Sequence, residues 1–288
     1  AVGGGMLEVI ISPIVEACPS EHKAKTMSLL HSFYCWGSAG VVVISTLFLA
    51  LFGSGSWRVL ALLWALLPIA NGLFFLKTPL APLVADGEKG MTAGELFRSK
   101  MFWVVILMMV CAGASEQAVS QWASTFAEKG LGVSKALGDL AGPTVFSLLM
   151  GLSRLIYGKR GDQMDLTKTM LACCGLCAAA YLLIGLTQSP LAGLAGVGLC
   201  GFSVGIFWPG TFSTAAASLR RGGTALFALM ALAGDLGCSA GPTVAGAVAG
   251  ALGDNLRAGI LCGLAFPLLM TVGVLLMKRL SREKTPQG

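Results

Sequence analysis

The chain has 288 residues, of which 55% are hydrophobic and only 12% charged, where soluble domains carry roughly a quarter charged residues; its mean hydropathy is +0.79. So little charge cannot cover a water-facing surface, which excludes a soluble globular domain. The net charge of +6, from 20 Lys and Arg against 14 Asp and Glu, raises nucleic acid as a partner, a question settled by where the basic residues fall.

In chain order, apolar segments run from Val2 to Cys18, Met27 to Phe52, Trp57 to Leu76, Met101 to Phe126, Leu137 to Tyr157, Thr169 to Leu186, Leu191 to Leu219, Thr224 to Leu252 and Leu256 to Met277. Nearly all reach the about 20 residues that a helix needs to cross a hydrocarbon core. In lipid the backbone must bond to itself, and runs this long and continuously apolar do so as helices. The expected fold is an all-α integral membrane protein with nine transmembrane helices.

Residues 78–100 form the longest polar connection, rich in proline and glycine, and read as a linker. Residues 1–77 then hold three helices, and residues 101–288 hold six and a tail. Transporters commonly pair two six-helix halves, each made of three-helix repeats. The chain begins without Met and without the basic flank of a signal peptide, and the three-plus-six count predicts that three helices precede Ala1. Threading the basic residues through nine helices leaves only Arg58, Lys129, Lys135 and Arg257 on one side and the other sixteen opposite. That is the positive-inside pattern. It places the linker, residues 158–168 and the C-terminus in the cytoplasm, with the protein in the plasma or inner membrane. The basic excess sets topology, so no nucleic-acid partner is expected.

The nine cysteines fall almost entirely within helices, as small packing residues. Cys173, Cys174 and Cys177 have a metal-like spacing, but structural zinc needs four ligands and the two histidines, His22 and His31, lie in distant segments. No phosphate-binding loop, nucleophile elbow or paired metal-ligand motif occurs. No cofactor, metal or enzymatic chemistry is expected.

Ionisable groups inside the apolar runs are costly in lipid and face a cavity or a partner. Three carboxylates nominate themselves for proton coupling. Glu116 lies about 22 Å along its helix, where Gly113, Gln117, Ser120, Gln121 and Ser124 extend a polar stripe expected to face water or substrate. Asp235 lies about 16 Å along its own helix, near mid-membrane. Glu8 shares a segment with Pro13, expected to loosen the backbone there as in broken transporter helices. Each could instead bond a neighbouring helix. His31 could titrate near neutral pH or serve as a packed hydrogen-bond donor. Trp36, Trp122 and Trp208 could stack on a sugar ring beside Gln117 and Gln121, or anchor at an interface or fill a core. Ala233, Gly237, Gly241, Ala245 and Ala249 recur every four residues and read as a close-packing helix face.

The stretch GLSRLIYGKRGDQMDLTK, residues 151–168, concentrates charge between apolar runs. Gly158, the basic pair Lys159 and Arg160, Asp162 and the preceding Ser153–Arg154 resemble the loop motif that major facilitator transporters carry between helices two and three of each half. Gln163 stands where that motif has a basic residue and Asp165 where it has glycine. The resemblance implies a latch of the outward-facing state, in which the acidic residue at a helix start pairs with an arginine of a neighbouring helix; Asp162 and Arg154 are the matching positions. The stretch GGGMLEVIISPIVEACPSEHKAKTMSLLHSFYCWGS, residues 3–38, resembles the fourth and fifth helices of the fucose permease-like branch of that superfamily. Glu8 matches the carboxylate that those symporters protonate and Pro13 their helix break, while Ser12 stands where they have asparagine.

The resemblance implies a major facilitator fold lacking the first three helices. It also implies a secondary active transporter working by alternating access, with proton-coupled uptake of a small polar solute such as a sugar or sugar derivative. Its partners would be solute, protons and the lipid bilayer, with the oligomeric state open. A drug or metabolite exporter of the same fold is the alternative, and a non-transporting membrane receptor or scaffold is the alternative of another class.

Overall fold

The computed structural model describes residues 2–81, 90–130, 132 and 134–283, and a few of these, Glu8 and Asp162 among them, without their side chains. The first group of helices is α1 (Val2–Ala17), α2 (Lys23–Phe52) and α3 (Trp57–Phe75). A short α4 (Ala93–Arg98) precedes α5 (Lys100–Ser120), the single turn α6 (Ala123–Thr125), α7 (Lys135–Arg160) and α8 (Leu166–Leu186). Then come α9 (Pro190–Val204), α10 (Phe207–Ser218), α11 (Gly223–Ala251), α12 (Leu256–Cys262) and α13 (Ala265–Glu283). Among the described residues, 8 helical stretches are long and apolar enough to cross a bilayer. The remaining expected crossing, α1, has 16 residues, about 24 Å at ~1.5 Å per residue and short of the roughly 30 Å core.

Three crossings that read as single apolar runs are interrupted. Helix α5 stops before Gln121–Trp122, α9 gives way to α10 at Gly205–Ile206, and α12 to α13 at Gly263–Leu264. Conversely, α1 runs unbroken through Pro13, where a break was expected. A proline there takes the donor from one carbonyl, that of Val9, and the rest of the ladder carries the helix on.

Helix starts follow local chemistry. Asp165, the departure from the loop motif, caps α8 by accepting from the Lys168 amide at 3.0 Å. Ser189 caps α9, with Pro190 at its first position, and Asn255 caps α12. In the linker, Thr92 and Glu95 close a capping box on α4. The Thr92 amide and hydroxyl both donate to the Glu95 carboxylate, at 2.7 and 3.0 Å, and hold its pKa below the usual carboxylate value.

Lipid offers no hydrophobic drive between helices, so association depends on close backbone approach. Helix α5 is the centre of the second group and packs against α11, α13 and α10. A Cβ at Gly113 would fall 2.2 Å from the Gly234 oxygen, at Gly237 2.1 Å from the Val110 oxygen, and at Gly241 2.5 Å from the Ala114 oxygen. The small-residue face of α11 therefore serves two partners, since a Cβ at Gly259 of α12 would meet the Ala245 oxygen at 2.2 Å. Likewise Gly201 of α9 rides on the Phe146 carbonyl of α7, 2.3 Å from where its Cβ would be. The first group joins the second through α2 on α7, α2 on α10 and α1 on α11. Helix α3 is nearly bare, with Leu62, Leu66 and Phe74 exposed, a surface suited to hydrocarbon.

Candidate functional site

Arg154 lies on α7 six residues before Arg160, two turns inside the helix, and is 2% exposed. A guanidinium stays charged, so in such a place its donors need acceptors. Its Nε donates to the Gly205 oxygen at 2.9 Å, and one terminal nitrogen donates to the His31 oxygen at 2.8 Å and the Cys35 Sγ at 3.1 Å. The other terminal nitrogen meets Glu116 Oε2 of α5 at 3.3 Å. One side chain thereby ties α7 to α2, to α5 and to the break between α9 and α10. The Tyr34 ring lies 5.9 Å from the guanidinium carbon, and the Ser28 hydroxyl donates to the Arg154 carbonyl at 2.8 Å.

Glu116 is buried. The turn that carries it is held by the Tyr181 hydroxyl, which donates to the Ser115 oxygen at 2.8 Å. Its second oxygen lies 3.5 Å from the Gln117 amide nitrogen. Strong Arg–carboxylate pairs are bidentate with contacts of about 2.7–2.9 Å. This one is a single long contact, and a pair taken out of water at that cost is poor support for stability.

The pair opens onto a cavity of about 460 Å³ between α1, α2, α5, α10 and α11, to which Ser12, His31, Gln117, Trp208 and Phe212 also contribute. That size and an apolar wall with a few converging polar groups suit a small organic solute. The His31 ring stacks on Phe212, centroids 5.8 Å apart, and its Nε2 lies 3.4 Å from the Ser12 hydroxyl. A second cavity of about 580 Å³, lined by Glu16, Lys23, Arg220 and Ser281 among others, occupies the next level of α10, at Ser213–Ser218. Phe212, stacked on Phe227 at 5.4 Å, stands where the two levels meet.

Of the residues nominated from sequence, Glu116, Gln117, His31 and Trp208 come together here. Arg154 joins them, while Gln121, Trp122, Trp36 and Asp235 do not line this cavity. Gln121 is exposed past the end of α5. Trp122 donates to the Pro242 oxygen at 3.0 Å and covers Gly246. Trp36 packs on Gly151. Asp235 is half-buried on α11. Along the α5 stripe, Glu116 and Gln117 reach the cavity, and Gly113 is a helix contact with Gly234. Glu8 lies on α1 one turn before Ser12, and its side chain falls outside the described residues, as does that of Asp162. Arg154, the basic half of the expected latch, is held by Glu116 and two helix carbonyls. Gly158 faces α2, where an added Cβ would be in ordinary contact, 3.6 Å from the Lys25 oxygen and the Leu29 amide nitrogen.

Tyr34, Cys35 and Phe212 carry no signal in the sequence, and Arg154, within the Leu137–Tyr157 run, reads as the partner of Asp162. The available signal was its apolar surroundings, Leu152, Leu155 and Ile156, which place it inside the helix.

A sequence profile of the Major Facilitator Superfamily matches residues 1–242. The fold is similar to that of FucP, a transporter of this superfamily crystallised in the outward conformation: TM-score 0.73, 16% identity, covering 96% of this chain and 73% of that one. It is similar also to a variant of the E. coli fucose:proton symporter FucP, with TM-score 0.75, 17% identity and coverage of 96% and 74%. No sequence among curated proteins matches. With most of its length matched by the profile, and an all-helical fold enclosing a solute-sized cavity, the chain belongs to the major facilitator superfamily and is a secondary transporter of the membrane, not an enzyme.

Proposed function

We propose that the protein carries a small polar solute, a sugar or sugar derivative, together with a proton, and that Glu116 is the proton carrier. The observation that supports this is the membrane-buried Glu116–Arg154 contact on the cavity wall, single and long at 3.3 Å. An ionised Glu116 neutralises Arg154; a proton on Glu116 removes that neutralisation and loosens the side-chain tie between α5 and α7. Alternating access then follows from the two cavities, with Phe212 between them as the barrier that moves. The solved structures this fold resembles include a fucose:proton symporter, which is consistent with such coupling.

The test is uptake into proteoliposomes under an imposed pH gradient. Glu116→Gln, a neutral mimic of the protonated acid, should abolish gradient-driven accumulation and keep solute exchange. Unchanged accumulation in the variant would remove Glu116 from the mechanism. A second reading, an exporter of larger apolar metabolites, is favoured by the aromatic and aliphatic wall formed by Leu30, Phe33, Tyr34, Trp208 and Phe212. Efflux of such compounds in exchange for protons, without uptake of polar solutes, would select it.

A further inference from the structure

We propose that the solute carries a carboxylate, which takes the place of Glu116 on Arg154 when Glu116 holds the proton. This rests on the reading of Glu116 as proton carrier.

Arg154 is permanently charged and fixed by two backbone carbonyls and a thiol, so it cannot follow Glu116 or withdraw into water. Protonating Glu116 therefore leaves one uncompensated cation on the cavity wall, at a place where a missing counter-charge is severely penalised. A neutral sugar leaves that charge standing, and a cationic solute adds to it. A carboxylate cancels it, and the loaded site, with Arg154 positive, Glu116 neutral and the solute negative, has the same zero net charge as the empty one.

The open hydrogen-bonding positions have the same polarity. Among the described residues, the second N–H on the terminal nitrogen facing Glu116 has no partner, since that nitrogen makes only the one contact at 3.3 Å. Trp208 lines the cavity, is 5% exposed, and its indole N–H is also unpartnered. Both are donors, and a carboxylate is an acceptor-only group with room for several donors.

Among the described residues, the other titratable groups around Glu116 do not supply the missing negative charge. Helix α2 contributes His31, Tyr34 and Cys35, α11 contributes Cys238, and Tyr181 and Cys200 approach from α8 and α9 at the Ser115 carbonyl. None of these is an acid of carboxylate strength. Asp235 of α11 is not on the cavity wall. On α1, Glu16 lines the other cavity, and the side chain of Glu8 lies outside the described residues.

The experiment offers proteoliposomes three pairs of probes that differ only by a carboxylate in place of a CH₂OH group: D-galacturonate and D-galactose, D-gluconate and D-sorbitol, L-lactate and 1,2-propanediol. With a pH gradient imposed, at least one carboxylate should accumulate tenfold or more above its neutral partner. Its uptake should be unaffected by a membrane potential set with potassium and valinomycin, because one proton and one monoanion move together. Glu116→Gln should still exchange that carboxylate but lose the dependence on pH, and Arg154→Gln should lose the preference for the charged partner. A neutral probe accumulating ahead of its carboxylate, or uptake that responds to potential, would overturn the carboxylate while leaving proton coupling intact. No pH-driven uptake of any of the six would overturn the proton-coupled reading itself, and this inference with it. Should Arg154→Gln fail to fold, the Glu116→Gln variant and the valinomycin clamp on the unaltered protein decide between these outcomes.

Discussion

The Gly205 carbonyl accepts from the Arg154 Nε at 2.9 Å. In a continuous helix that oxygen would belong to the amide of residue 209, but residue 209 is a proline and has no N–H to give. Pro209 thus ends α9, lies in the tolerant first turn of α10, and leaves a helix carbonyl for the arginine of another helix.

Pro209→Ala returns the missing donor. The new amide should compete with Arg154 for Gly205, draw α9 and α10 towards a single helix and loosen the guanidinium from its seat. Transport should fall at least severalfold, while thermal stability in detergent holds or rises, since the returned amide adds a backbone hydrogen bond. An unchanged transport rate in the variant would mean that the break has no part in the cycle.

The fold was legible in this sequence because hydropathy and length settle a membrane helix almost alone, and the glycine spacing on α11 gave its packing face as well. The interruptions were harder to see. Pro13 and Pro209 look alike in sequence, yet α1 passes through the first whereas α9 ends at Val204 ahead of the second, where the carbonyl set free, that of Gly205, receives the Arg154 guanidinium. Among site residues, Glu116 was legible as an acid in an apolar run. Its partner was not, because Arg154 sits 38 residues away and reads as the partner of Asp162. Residue type alone leaves Trp36 and Trp122 open between stacking on a solute, anchoring at an interface and packing, and their contacts with Gly151 and Pro242 are packing ones.

Gly237 and Gly175 make a matched test of backbone packing. At Gly237 an added Cβ would lie 2.1 Å from the Val110 oxygen, a contact that backbone cannot relieve cheaply, whereas at Gly175 it meets nothing within 4 Å. Gly237→Ala should destabilise by roughly 1–3 kcal/mol, seen as a lower melting temperature in detergent. Gly175→Ala should be neutral or stabilising by up to about 1 kcal/mol, the helix propensity gained. Equal effects at the two positions would refute backbone contact as the source of α5–α11 affinity.

Orientation is checked at Ser281, exposed near the end of α13. The positive-inside distribution expects it in the cytoplasm. In a background without the native cysteines, Ser281→Cys should react with an impermeant maleimide in inside-out vesicles and be protected in intact cells. Labelling in intact cells would invert the topology.

Phe212 should act as the barrier between the two cavities. It is 2% exposed, its ring is sandwiched between His31 at 5.8 Å and Phe227 at 5.4 Å, and the residues just after it already line the other cavity. Removing the ring joins the two spaces through a gap wide enough for water, and a water file past Glu116 conducts protons without solute. Phe212→Ala should therefore collapse an imposed pH gradient in solute-free proteoliposomes several times faster than the unaltered protein. It should also lose about 3–5 kcal/mol of stability as a large-to-small core change. Phe212→Leu fills much of the same volume and separates the two effects: it should restore most of the proton tightness even where some stability is lost. If the alanine variant is folded and monodisperse yet holds the gradient as well as the unaltered protein, the barrier lies elsewhere along α10.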